Sequence, residues 1–168
     1  MLRCLKPPYP KITNEIRWQA SKAQVTLLAT SGRGPIVYFA HSKLDYESSR
    51  AAKVRSLIRQ TWPDKRLLDP SRMRETWPDL AARLGGQDPV YELVISCVRE
   101  VVALEHRGFV GRGVFTELQL AQRRGLPCFV VRGQKLVPVE AIEIVDPDDF
   151  KRRYGRVIAK SEVRDVAA

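Results

Sequence analysis

The chain has 168 residues, long enough for one domain with a sizeable buried core. Its 44% hydrophobic and 29% charged residues describe a folded domain rather than a disordered one, and its longest apolar run is far short of the roughly 20 residues of a membrane span. A formal charge of +10 and a pI near 9.9 favour anionic ligands. The basic residues are scattered, however (Arg50, Lys53, Arg55, Arg59, Arg72, Arg74, Arg123, Arg124, Lys151, Arg152, Arg153), and no helix-turn-helix, zinc-finger or RNA-recognition pattern accompanies them. A basic surface that attracts small anions is therefore favoured over nucleic-acid binding.

The opening "MLRCLKPPYPK" is broken by prolines and "VTLLAT" is too short for an h-region, so no signal peptide and a cytoplasmic location are expected. Residues 1–34 read as an irregular extension, an edge strand or arm, with "QVTLLAT" as a short strand and "SGRGP" as a turn. The main domain is expected over 35–168. "IVYFA", Ile36 to Ala40, is a continuous apolar run, as in a strand buried on both faces. The polar loop "HSKLDY" follows. From Glu47 to Trp62 apolar residues recur at helical spacing, with Asp45 placed to cap the helix.

"RLLDPS" is a second strand ended by Pro70, and "RETWPDLAARLGG" a short helix closed by Gly85 and Gly86. "PVYELVISCV" spaces Val90, Leu93, Val94 and Cys97 as a helix with Pro89 in its first turn. "REVVALE" is a third strand. "VFTELQLAQRRG" is a helix that ends at Gly125 after two arginines suited to a helix C-terminus. "LPCFVVRG" reads as a fourth strand, "VEAIEIV" as a fifth, and "DPDDFKRRYGRVIAK" as a closing helix. Cys4, Cys97 and Cys128 form no CxxC pair and read as reduced thiols. Alternation of strands with helices predicts right-handed crossovers and a parallel sheet of about five strands with helices on both faces, ordered as in flavodoxin.

Ligands of such sheets sit outside the carboxyl ends of the strands. Three loops qualify: "HSKLDY", "DPSRM" and "EHRGFVGRGVFTE". In the third, Gly111 and Gly113 open the backbone ahead of a helix start whose N–H groups favour an anion. Glu117 follows one turn into that helix. Two readings stand for it: a helix-start carboxylate complementing the dipole in solvent, or a carboxylate held against a sugar. Asp45 likewise reads as an N-cap or a ribose contact, Tyr46 as packing or a base platform, and Ser42 with Lys43 as exposed loop or phosphate grip. Trp62 and Trp77 read as core or interface. "GRGVFTE" lacks the third glycine of a dinucleotide fingerprint and the lysine of a P-loop. No His, Cys and carboxylate residues cluster at metal spacing and no GxSxG elbow is present, so neither a metal nor another cofactor is expected.

Together "IVYFAHSKLDY", "LLDPS" and "GRGVFTELQLAQRRGLPCFVV" resemble the nucleoside 2-deoxyribosyltransferase superfamily, which includes the deoxynucleoside 5′-monophosphate N-glycosidases. The resemblance spans about Pro35 to Arg132. It implies a flavodoxin-like fold, cleavage or exchange of the base of a deoxynucleoside, and sites completed by a neighbouring subunit in a homodimer or larger oligomer. Phe39 to Ser42 occupies the place of the family's polar turn, Asp69–Pro70 that of its Asp/Asn–Pro, and Gly113 with Glu117 that of its glycine-led helix with a glutamate nucleophile. Substrate contacts are then expected from Phe39, His41, Ser42, Lys43, Asp45, Tyr46, Asp69, Glu105, Gly111 and Gly113. The transferases carry an aspartate six residues before the glutamate, where this chain has Gly111, and an acid at the start of the third strand, where Val98 is nearest. The proton donor is thereby left between Glu105 and Asp69. The small-molecule partner expected is a nucleoside, or more tightly its 5′-monophosphate. A non-catalytic nucleotide-binding module and a basic, nucleic-acid-associated base-releasing protein are the alternatives.

Overall fold

The computed structural model describes residues 14–30, 33–106 and 110–139. Five strands form one sheet: β1 (Ile36–Ala40), β2 (Arg66–Leu68), β3 (Glu100–Ala103), β4 (Cys128–Arg132) and β5 (Lys135–Pro138), in the order β2-β1-β3-β4-β5. The first four run parallel, with Tyr38 opposite both Leu68 and Val101. The helices are α1 (Asn14–Leu28), α2 (Ser49–Thr61), α3 (Thr76–Leu84), α4 (Gln87–Ser96) and α5 (Arg112–Arg123). This is the α/β, flavodoxin-like architecture anticipated from the alternation of strands and helices.

The order of the strands dictates where the helices lie. The step from β1 to β2 runs one way along the sheet, while the steps from β2 to β3 and from β3 to β4 run the other. Right-handed crossovers then place α2 on one face and α3, α4 and α5 on the opposite face. The strand pleat sorts the core accordingly. Val37, Phe39, Val102 and Leu104 pack with Ala51, Val54 and Ile58 of α2. Tyr38, Ala40, Val101 and Ala103 pack with Leu80, Leu93, Val94, Val114 and Leu118. Each such Leu or Val, when wholly buried, contributes roughly 1.5–3 kcal/mol relative to an exposed one.

Three expectations are corrected by the structure. "QVTLL" of that stretch belongs to α1, not to a strand, because Trp18, Ser21, Val25 and Leu28 recur at helical spacing and Val25 is wholly buried in the larger core. The β-branched pair Val25–Thr26 misleads at short range; tertiary burial overrides it. Beyond the helix the backbone meets the sheet edge, where the Thr30 N–H donates to the Leu67 carbonyl at 2.9 Å and the Leu67 N–H to Thr30 Oγ1 at 3.0 Å. Second, α2 is capped by Ser48, which accepts from the Ala51 N–H at 3.1 Å, and not by Asp45. Third, the fifth strand runs antiparallel to β4 through the two-residue turn Gly133–Gln134, with Arg132 opposite Lys135. Gly133 has φ +58°, which suits the turns that connect twisted antiparallel strands. Apart from Val139, the expected strand "VEAIEIV" lies outside the described residues, as do the closing helix and Cys4. Cys97 and Cys128 are free thiols.

Candidate functional site

Polar side chains are seldom wholly buried unless hydrogen-bonded or functional. Among the described residues the buried polar or charged ones are Ser21, His41, Asp45, Asp69, Glu105 and Glu117. All except Ser21 lie at the carboxyl edge of the sheet, where β1, β2 and β3 end and α5 begins. The topology, rather than any run of sequence, brings these five together.

Glu117 comes from α5, whose buried positions are Val114, Glu117, Leu118 and Ala121. Those positions form one stripe at i, i+3, i+4 and i+7, so the helix that buries Leu118 must also bury Glu117. Glu117 is 5% exposed, and among the described residues its carboxylate receives one hydrogen bond, from Tyr38 Oη to Oε1 at 2.7 Å. Burial pushes its pKa up to about 8, and the Tyr38 bond only partly opposes that. Tyr38 is itself raised well above the usual phenol range by burial and by the Glu117 charge. Tyr46 is pushed up to about 12 by burial and then by the charges of Glu117 and Asp69.

Asp69 has opposite surroundings. It ends β2 and caps the short 3-10 turn Pro70–Met73, its Oδ1 accepting from the Ser71 N–H at 2.8 Å. The same oxygen faces His41 Nε2 at 3.3 Å, and Oδ2 takes Arg55 Nε at 2.5 Å. Burial alone would raise its pKa, but the bonds from His41, Arg55 and Ser71 outweigh it and hold the carboxyl well below the usual range. His41 is enclosed between the Phe39 ring at 4.2 Å and the Tyr46 ring at 5.1 Å, and its Nδ1 faces the Ser42 carbonyl at 3.2 Å.

A second network joins the ends of β1 and β3. Asp45 Oδ2 lies 3.1 Å from His106 Nε2, and Arg50 Nη1 lies 2.6 Å from His106 Nδ1. A guanidinium only donates, so Nδ1 accepts and the ring proton sits on Nε2, facing Asp45. Burial would raise the Asp45 pKa, but the His106 bond and the neighbouring Arg50 guanidinium lower it. Arg50 also donates to the Glu105 carbonyl at 2.9 Å, and Arg132 Nε to Glu105 Oε1 at 2.9 Å.

The remaining expected positions take plainer places. Ser42 caps the short 3-10 turn Lys43–Asp45, accepting from the Leu44 N–H at 3.3 Å, while Lys43 is exposed. Phe39 is wholly buried on the α2 face. Gly111 is the N-cap of α5 with ordinary extended angles and open space where a Cβ would stand. Gly113 lies inside α5, where a Cβ would come 3.0 Å from Tyr91 Oη, so helix packing already accounts for a small residue there. Val98 lies ahead of β3, which opens with an acid after all, Glu100, tied to Lys65 Nζ at 2.7 Å at the opposite edge of the sheet. Trp62 packs edge-on against Phe129 and Trp77 against Tyr91.

Tyr38, Arg50, Arg55 and Arg132 belong to this arrangement and were not anticipated. Tyr38 had a signal: a tyrosine inside a wholly apolar strand needs a partner for its hydroxyl. The arginines had none, because their partners are distant in sequence. A groove of about 510 Å³ lies elsewhere, lined by residues of α2 such as Lys53 and Gln60 and by Val131, Gly133 and Gln134. It contains none of the buried acids. Among the described residues no group of His, Cys, Asp or Glu could hold a metal ion, and no helix is long and apolar enough to cross a membrane. Comparison with protein-family models, with curated proteins and with solved structures found no match.

Proposed function

We propose that this protein cleaves or transfers the N-glycosidic bond of a (deoxy)nucleoside or its 5′-monophosphate, with Glu117 as the nucleophile. One observation carries the reading: a buried glutamate at the carboxyl edge of the sheet, held by a single donor on one oxygen. Tyr38 fixes Oε1 and leaves Oε2 as the attacking atom. In the proposed step Oε2 bonds to the anomeric carbon as the C1′–N bond breaks. The bonding pair departs on the base nitrogen, which water protonates. Water, or a second base, then displaces Glu117 from C1′. Asp69 keeps its negative charge under three donors and is therefore not the acid that protonates the base.

With its pKa pushed up to about 8, the Glu117 carboxyl is mostly protonated at neutral pH, and attack requires the ionised form. Base release should therefore rise with pH through that value. The raised pKa also favours a second reading, a nucleotide-binding module in which a neutral Glu117 donates a hydrogen bond to the ligand without reacting. The partner in either case is a nucleoside or nucleotide, with exposed Lys43 supplying charge for a 5′-phosphate. A cytoplasmic homodimer accompanies the proposal, and nucleic acid is not favoured.

The test is base release, followed by chromatography, from a panel of nucleosides and 5′-monophosphates. Glu117→Ala and Glu117→Gln should keep the fold by circular dichroism and lose roughly 1000-fold or more of the rate, the scale for removing a group that acts as part of a catalytic unit. A folded Glu117→Ala variant with full activity ends the nucleophile reading. A wild type that binds nucleotides but releases no base from any of them leaves the binding module.

A further inference from the structure

We propose that Glu105 grips the substrate, its free carboxylate oxygen accepting a hydrogen bond from an O–H or N–H donor of the nucleoside; this rests on the reading just given. Glu105 is 7% exposed, and its Oε2 is buried with no hydrogen-bond partner among the described residues. The residue is otherwise firmly held. Arg132 Nε takes Oε1 at 2.9 Å, and Arg50 takes the backbone carbonyl at 2.9 Å. Arg132 reaches the carboxylate through Nε alone, so it does not fork across both oxygens as an arginine can. A buried charged acceptor left without a donor is among the costlier defects of a fold, which makes it a candidate for a role that a ligand completes.

Its position supports that role. The Leu104 N–H donates to the Ala40 carbonyl at 3.0 Å, after which the two strands' continuations part into Glu105 and His41. From there one chain leaves through α2 on one face and the other through α5 on the opposite face, which is where sheets of this topology open a crevice. Val101 and Ala103 face the core that holds Tyr38 and Leu118, so strand alternation sets Glu105, two residues on, towards that same face. The other orphan atom, Glu100 Oε2, belongs to the opposite edge, where its partner oxygen is tied to Lys65. A carboxylate oxygen rejects a phosphate and welcomes a neutral donor, so the group received is a sugar hydroxyl or an amine of the base.

The test is calorimetric binding of adenosine and cytidine, and of their counterparts lacking the 2′-hydroxyl, the 3′-hydroxyl or the exocyclic amine. Wild type is compared with Glu105→Gln and Glu105→Ala, the near-isosteric Gln variant guarding against loss of fold. In wild type, removing one of these donors should weaken binding roughly 10- to 100-fold, the scale of a hydrogen bond to a charged group. In the Glu105 variants the same removal should cost nothing further, and the donor removed identifies sugar or base as the source. Variants that discriminate among the probes as wild type does, or that weaken every probe by one common factor, overturn the proposal. If wild type releases base while discrimination persists in the variants, this proposal alone fails. If wild type binds none of the probes and releases no base, the functional reading fails with it.

Discussion

Asp69 and Glu117 end up at the same edge of the sheet with nearly equal exposure, 4% and 5%, yet their chemistry diverges. Asp69 collects donors from a ring nitrogen, a guanidinium and a backbone N–H and is held ionised. Glu117 has Tyr38 alone and is pushed up to about 8. Burial raises both; the number and charge of the donors decides which effect wins. Asp69 is thus a fastener between the end of β2, α2 and the His41 loop, whereas Glu117 is left poised to gain or lose a proton near neutrality.

The largest test of that contrast is Asp69→Ala. It strips the partner from Arg55 and His41 and uncaps the turn at Ser71, so stability should fall by about 3 kcal/mol. Urea denaturation measures it, and a loss under about 1 kcal/mol would remove Asp69 from the role of fastener. The two groups should also act at opposite ends of the pH scale. The depressed pKa of Asp69 means its contribution is present above its ordinary value of 3.8 and lost as pH falls through the folded value.

For Glu117 the sign reverses. Its folded pKa lies above the ordinary 4.5, so the stability tied to its neutral form is full below 4.5 and lost as pH rises through about 8. Relative to Glu117→Gln, which cannot ionise, wild type should therefore lose on the order of 2 kcal/mol between pH 6 and pH 8. Parallel stability curves for the two proteins over that range would show that the carboxyl is not raised. The smallest effect belongs to Tyr38→Phe. Removing the only donor to Glu117 among the described residues should push its pKa higher still; under the proposed reaction this moves the alkaline-rising limb of base release upward and lowers the rate at pH 7 by about 10-fold. An unmoved limb would mean that Tyr38 does not tune Glu117.

How much of this was legible depends on the range of the interaction that decides it. The helix carrying Glu117 announced its buried stripe at Val114, Leu118 and Ala121, and Glu117 occupies a position in that stripe. Its burial could therefore be read from spacing, although a helix-start glutamate facing solvent remained an equal reading. The N-cap of α2 was misplaced by three residues because Asp45 and Ser48 are both good caps. The structure instead commits Asp45 to His106, 61 residues away. The strand β5 escaped notice because it is four residues long and ends in Pro138, a residue suited to the sheet's edge.

What the sequence determined by itself is the alternation of strand and helix, and from it the sheet order and the edge at which the polar loops collect. Those follow from hydrophobic periodicity and crossover handedness, which are local and chain-wide regularities. Only the tertiary structure decided which acids are satisfied. The donors to Asp69, Asp45 and Glu105 come from Arg55, His106 and Arg132, and Tyr38 reaches Glu117 across 79 residues of chain. Ionisation depends on burial and on donors within about 3 Å, and neither quantity exists until the elements have packed.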